Sequence, residues 1–239
     1  MSDSPPTDRS STPPHEPMFN MPGVVLALAG VCIIIHLLRV FVMGPSASLL
    51  VMLNFGFMPL RFTSGYPLDL YAFISPVTYS FLHGGTAHLL INMIWLMAFG
   101  SPLANRLGAL RFLALWVVTA VAAVLLHFAV HPYDATPVVG ASGAISGMMG
   151  AAARFAFRSA RIAGKPYFIG PILPLSQVFR SRMTVTFLVV WFVINLAVGL
   201  GFGMAPGSPA IAWEAHIGGF LAGFFLVRFF ERKMPSDKL

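Results

Sequence analysis

Apolar residues along this chain fall into six long runs separated by short polar breaks. The pattern predicts helical spans over residues 23–43, 86–104, 109–130, 141–158, 183–204 and 209–229. Each is near the ~20 residues that a helix needs to cross a bilayer. The fourth run is the least greasy, being mostly Gly, Ala, Ser and Met, and is expected to be buried among other helices. Residues 45–85 are too apolar for a solvated loop and too broken by Pro and Gly for a span, and are expected to lie partly in the membrane interface. The fold class is therefore all-α, a polytopic six-helix bundle over residues 22–230. Residues 1–21, rich in Ser, Pro and Thr, read as a disordered cytoplasmic tail, and residues 231–239 as a second cytoplasmic tail. The first tail has no basic n-region, and the run after it is too long for a secretory signal.

Composition sharpens this picture. Hydrophobic residues make up 57% of the 239 and charged residues only 10%, with a mean hydropathy of +0.79. A soluble domain is nearer a quarter charged, so the expected solvent is the lipid bilayer. The formal net charge of +7 would suit nucleic acid, but the basic residues sit in short loops between apolar runs, and no nucleic-acid partner is expected. Their distribution sets orientation instead. Arg154, Arg158, Arg161, Lys165, Arg180 and Arg182 flank the break between the fourth and fifth runs, and Arg228, Arg232, Lys233 and Lys238 lie at the end. The breaks at 131–140 and 203–210 hold no Lys or Arg. Both termini are expected in the cytoplasm, with those two breaks outside. The lone Cys32 excludes an internal disulfide and a Cys-based metal site.

Two segments carry candidate chemistry. Gly140-Ala-Ser142-Gly143 opens the fourth run, and His216 lies near the start of the sixth. With helix starts near Val138 and Pro209, Ser142 would lie about 6 Å and His216 about 10 Å along their helices. Both then fall in the outer half of the bilayer. Gly143-xxx-Gly147, Ser146-xxx-Gly150 and Ala215-xxx-Gly219-xxx-Gly223 are small-residue spacings that let helices approach closely. A Ser hydroxyl is a weak nucleophile that needs a base within hydrogen-bond reach, and imidazole is the usual one. No third carboxylate is evident: Glu214, two residues before His216, points to another face, so the reading is a Ser–His dyad. Free N–H groups at the start of the fourth helix suit an oxyanion. His88 and Asn92, four apart on one face of the second run, are further candidates, because polar groups at membrane depth are costly.

Taken together, Gly140-Ala-Ser142-Gly143, His216-xx-Gly219-xxx-Gly223 and His88-xxx-Asn92 resemble the rhomboid intramembrane proteases, and His83 fits the same pattern. The resemblance covers nearly all of residues 22–230. It implies Ser142 as nucleophile and His216 as base, with His88, Asn92 and the backbone around Gly140 and Gly143 as oxyanion or substrate-binding groups. It implies substrates that are other transmembrane proteins, and no cofactor. The chain departs from the pattern in three places. Ile74-Ser75 replaces a Trp-Arg pair of the first long loop, Ala104 replaces a Glu near the retained Arg106, and Ser146 stands where many members have an aromatic packed on the His. A rhomboid-like protein that binds transmembrane helices without cutting them is the alternative function. A small transporter is a weaker reading, since no internal repeat is visible.

Other polar pairs read more plainly. His127 and His131 are four apart and could hold a metal, but with no third ligand evident they read as interfacial polar residues, and no metal is expected. Cys32 and His36 read as packing, and Asn195 as bonding to a neighbouring helix. Trp191 and Phe192 read either as lipid-facing filler or as the lining of a lateral gate. The basic loops without organelle targeting suit a bacterial inner membrane.

Overall fold

The computed structural model describes residues 20–65, 67–202 and 211–231. The two expected tails fall almost wholly outside the described residues, and the 203–210 break wholly so. Eleven α-helices and one hairpin are present among the described residues. Helix α1 (Gly23–Leu37) runs on through a π-helical turn to Val42. Helices α2 (Pro45–Phe55), α3 (Leu60–Thr63) and α4 (Leu70–Thr78) follow. Helix α5 (Thr86–Trp95) continues through a second π turn into α6 (Ser101–Leu107). Gly108, at φ +82°, reverses the chain into α7 (Ala109–Val130), a conformation that residues with a Cβ rarely adopt. Then come α8 (Ser142–Arg154), β1 (Ser159–Ile162), β2 (Lys165–Phe168), α9 (Leu175–Val178), α10 (Arg182–Gly199) and α11 (Trp213–Phe230).

Four helical stretches among the described residues are long and apolar enough to cross a membrane: Gly23–Val42, Thr86–Leu107, Ala109–Val130 and Arg182–Gly199. The two remaining expected spans differ. Helix α11 has the length, 18 residues, but carries Glu214, Arg228 and several glycines. Helix α8 has only 13 residues and ends at Arg154 rather than near 158. Ala156 and Phe157 take positive φ (49° and 54°) and stop it. A helix enclosed by other helices needs no lipid-facing length: every α8 residue from Gly143 to Arg154 is buried, against α7 and α11.

The basic segment after α8 is not a plain loop. It forms the antiparallel β1–β2 hairpin, with Ser159 opposite Phe168. Its two-residue turn, Ala163-Gly164, has positive φ at both positions, as tight hairpins require. Phe168 stacks on Phe155 at 5.7 Å, tying the hairpin to the end of α8. Two arginines at helix ends are structural ties, and the first of them, Arg154, was expected as loop charge. Arg154 is buried and donates to Phe224 O at 2.8 Å and Leu173 O at 3.0 Å. Arg106 is buried over the Phe155 ring and pairs with Glu231, which supplies a carboxylate where Ala104 cannot.

The 45–85 segment is anchored without a Trp-Arg pair. Phe57 bridges Val138 through two backbone hydrogen bonds of 3.0 and 2.8 Å, and Leu60 N donates to Asp134 O. Thr63 and Thr78 hydroxyls donate to Pro132 O and Phe55 O. Ser75 is buried within α4. Leu49, Leu50, Leu70 and Phe73 are exposed, a greasy surface that suits lipid.

Candidate active site

The seam between α8 and α11 is built from the small residues. A methyl group at Gly219 would strike Gly143 O, and one at Gly223 would strike Gly147 O. The two contacts advance together along both helices, so α8 and α11 run parallel and start at the same end of the bundle. On the other face, Gly147 lies on Thr119 and Gly143 on Ala123, so α7 runs antiparallel to both.

This arrangement brings the two starts together. Ser142 is the first residue of α8, not a residue one turn inside it, because Val138 is held in extended pairing with Phe57. His216 is the fourth residue of α11, about 4.5 Å from its start. Both sit shallower in their helices than the sequence suggests, by similar amounts. Ser142 Oγ and His216 Nε2 are 2.8 Å apart.

The other imidazole nitrogen is also engaged. His216 Nδ1 lies 2.6 Å from Asn195 Oδ1 on α10. The Asn195 amide nitrogen donates to Trp191 O at 2.7 Å, which leaves Oδ1 as the atom facing the ring. An oxygen there accepts, so Nδ1 carries the proton and Nε2 offers its lone pair to the Ser142 hydroxyl. The Ser142–His216 pair thus has a third member, a neutral amide rather than a carboxylate. Asn195 was legible only as a polar residue in a lipid-length helix, which marks it as partnered without naming the partner.

Around Ser142 the backbone is tightly specified. Gly140 has φ +130°, and a methyl there would lie 2.8 Å from His88 Cε1, 2.9 Å from His88 Nε2 and 3.5 Å from Ser142 Oγ. The His88 ring therefore stands beside the Ser142 hydroxyl, with only a glycine between them. A methyl at Gly143 would lie 2.8 Å from the Tyr79 hydroxyl, which itself donates to Ala120 O. Tyr79 O accepts from Gly140 N at 3.0 Å, so Tyr79 props the turn before Ser142 from beneath. His83 packs edge-on against His88 at 5.2 Å. Asn92 is buried, and one of its amide N–H groups donates to His88 O at 2.9 Å, which ties it to the helix turn that carries His88. As α8 begins at Ser142, the N–H groups of Ser142, Gly143 and Ala144 precede its first intrahelical bond, Ile145 N to Ala141 O. They and the positive end of the helix dipole form a preorganised anion-binding corner.

Chemically, a hydroxyl hydrogen-bonded to an oriented imidazole beside such donors is equipped for acyl transfer. The expected Ser146 is buried in α8. Trp191 packs against Phe220 with ring centroids 4.6 Å apart, one turn beyond His216 on α11. Leu188, Trp191, Phe192, Ile217, Phe220 and Leu221 line an apolar groove between α10 and α11.

Comparison with known proteins gives the chain a family. Residues 70–233 match the family model of the rhomboid domain. RHOMBOID-like protein 5 of Arabidopsis thaliana is 32% identical over 146 residues, 61% of this chain and 40% of that protein. Rhomboid protease GluP of Bacillus subtilis is 32% identical over 144 residues, 60% of this chain and 23% of that protein. Rhomboid protease GlpG of Enterobacter is 24% identical over 146 residues, 61% of this chain and 44% of that protein. The matched stretch thus spans less than half the length of each of these relatives. The chain is an integral membrane protein and belongs to the rhomboid family.

Proposed function

We propose that the chain is an intramembrane serine endopeptidase that cuts other transmembrane proteins in or near their membrane segment. The 2.8 Å approach of Ser142 Oγ to His216 Nε2 carries this reading, and the family includes serine intramembrane proteases. A substrate helix enters from lipid through the apolar groove between α10 and α11 and presents an unwound stretch to Ser142. The Ser142 oxygen attacks the peptide carbonyl as its proton passes to His216 Nε2. His88 and the N–H groups at the start of α8 hold the oxyanion, with Asn92 supporting them through His88. His216 then gives the proton to the departing amine, and water, activated by the same imidazole, releases the acyl group. Hydrolysis needs water at this depth, so the site opens to one aqueous side. In this reading the chain crosses six times, with α8 and α11 as the fourth and sixth crossings, and both termini face the cytoplasm. The site then opens to the outer side, and a bacterial inner membrane is the setting that the loop charges suit.

Cleavage of a transmembrane reporter protein in liposomes tests this. Wild type should cut it, and Ser142→Ala and His216→Ala should not. Cleavage that persists in Ser142→Ala would sink the assignment.

A further inference from the structure

A second cluster of donor groups lies at the same end of the bundle. His127, in the last turn of α7, His131, its C-cap, and Glu214, in the first turn of α11, each offer one ligand atom within 4.8 Å of the others. His131 Nε2 is 2.8 Å from Glu214 Oε1, and His127 Nδ1 is 3.6 Å from Glu214 Oε2. A tetrahedral zinc site has metal–ligand bonds of roughly 2.0–2.2 Å, which puts adjacent ligand atoms about 3.3 Å apart. The two observed distances run to different oxygens of Glu214, one shorter and one longer than that value, and the three ligand atoms lie close enough for small side-chain rotations to bring them onto one ion.

Burial adds an independent reason. His127 is 4% exposed and Glu214 7%. Yet His127 Nδ1, His127 Nε2 and Glu214 Oε2 have no hydrogen-bond partner among the described residues. Buried polar atoms are almost always satisfied, and a cation held between the imidazole and the carboxylate would satisfy two of these three. The third, His127 Nε2, faces Asp134 Oδ2 at 3.8 Å. That is too long for a hydrogen bond, but it leaves Asp134 as the carboxylate beside the free side of this imidazole, able to close on it once the other nitrogen holds a metal. The other Asp134 oxygen accepts from Thr136 N at 2.8 Å and so fixes the carboxylate. The His131 side chain is 45% exposed, which gives an ion a way in and leaves a fourth position for water.

The geometry points to a zinc-type divalent metal site held by His127, His131 and Glu214, with Asp134 behind His127. Two imidazoles and one carboxylate suit zinc and its neighbours rather than the oxygen-loving calcium or magnesium. The ion fastens the start of α11 to the end of α7, two residues before His216, without touching Ser142.

The test uses the full chain in detergent, purified without a polyhistidine tag, stripped with a chelator and titrated with zinc by calorimetry. Wild type should take up one zinc per chain and unfold at a higher temperature with zinc than without. His131→Ala and Glu214→Gln should lose both effects, and Asp134→Asn should bind roughly ten- to a hundredfold more weakly. Because His131 is half exposed, His131→Ala should keep its metal-free unfolding transition, which separates lost binding from lost fold. Absence of saturable uptake by folded wild type, or uptake undiminished in His131→Ala, would overturn the site and leave the cluster as a hydrogen-bonded one. None of these readouts depends on proteolysis.

Discussion

Along α8, the backbone of α11 rests on bare carbonyls, Gly219 over Gly143 and Gly223 over Gly147. Along α10, contact runs through side chains instead: Trp191 on Phe220, Asn195 on His216, Trp213 over Gly199. The burial of the two partners differs to match. Helix α8 is buried from Gly143 to its end, whereas α10 buries only Thr184. The Ser142–His216 distance is thus set by a rigid seam, while the orientation of the imidazole is set by a group on the least embedded long helix. In the proposed mechanism, the side that must let a substrate in also carries the residue that aims the base. Movement of α10 then changes the tautomer control on His216 without changing where His216 sits.

The seam is the place where a small change should do most harm. Gly223→Val drives a side chain into Gly147 O. Overpacking of this kind costs about 1–3 kcal/mol and more where backbone is struck, so thermal unfolding in detergent should fall sharply and activity should vanish with it. Unchanged unfolding would mean that the seam is looser than described.

A smaller effect is expected on the α10 side. Asn195→Ala removes one orienting hydrogen bond, worth about 1–1.5 kcal/mol, or roughly tenfold in rate. The expected result is a tenfold slower reaction of Ser142 with an acylating probe, with unfolding unaltered. Asn195→Asp, which keeps an acceptor for Nδ1–H, should recover part of the loss. An equal loss in both variants would say that Asn195 serves packing alone. The smallest effect belongs to Phe192→Ala. Phe192 is 47% exposed on α10, so stability should move by no more than about 0.5 kcal/mol, while the rate on a transmembrane substrate registers the altered groove.

How much of this could be read from the sequence follows the same division. Periodicity placed α7 at its observed bounds, 109–130, and the glycine spacings pointed to the α8–α11 seam, because a contact between backbones leaves its mark as missing side chains. The rotation of α10 leaves no such mark. A helix apolar all round has no preferred face, so Asn195 could be seen as polar but not aimed. Two-residue spacing predicts that Glu214 faces away from His216, as it does, yet the His127–His131 pair it faces lies over 80 residues earlier in the chain. The sequence pattern sets Ser142 a turn too deep because extended pairing of Val138 with Phe57, far earlier in the chain, decides where α8 starts. Arg154 reads as loop charge because loop and helix end are adjacent in sequence; only its acceptor, Phe224 O, reveals it as a tie across the bundle.

The central claim is that His216 activates Ser142. Labelling by a fluorophosphonate probe, with the modified residue located by mass spectrometry, tests it without any assumption about substrate. Wild type should take one label, at Ser142; Ser142→Ala should take none; and His216→Ala should react about 10²–10⁴-fold more slowly, the range for loss of a general base. Folded wild-type protein that does not label, or His216→Ala that labels as fast as wild type, would contradict the account.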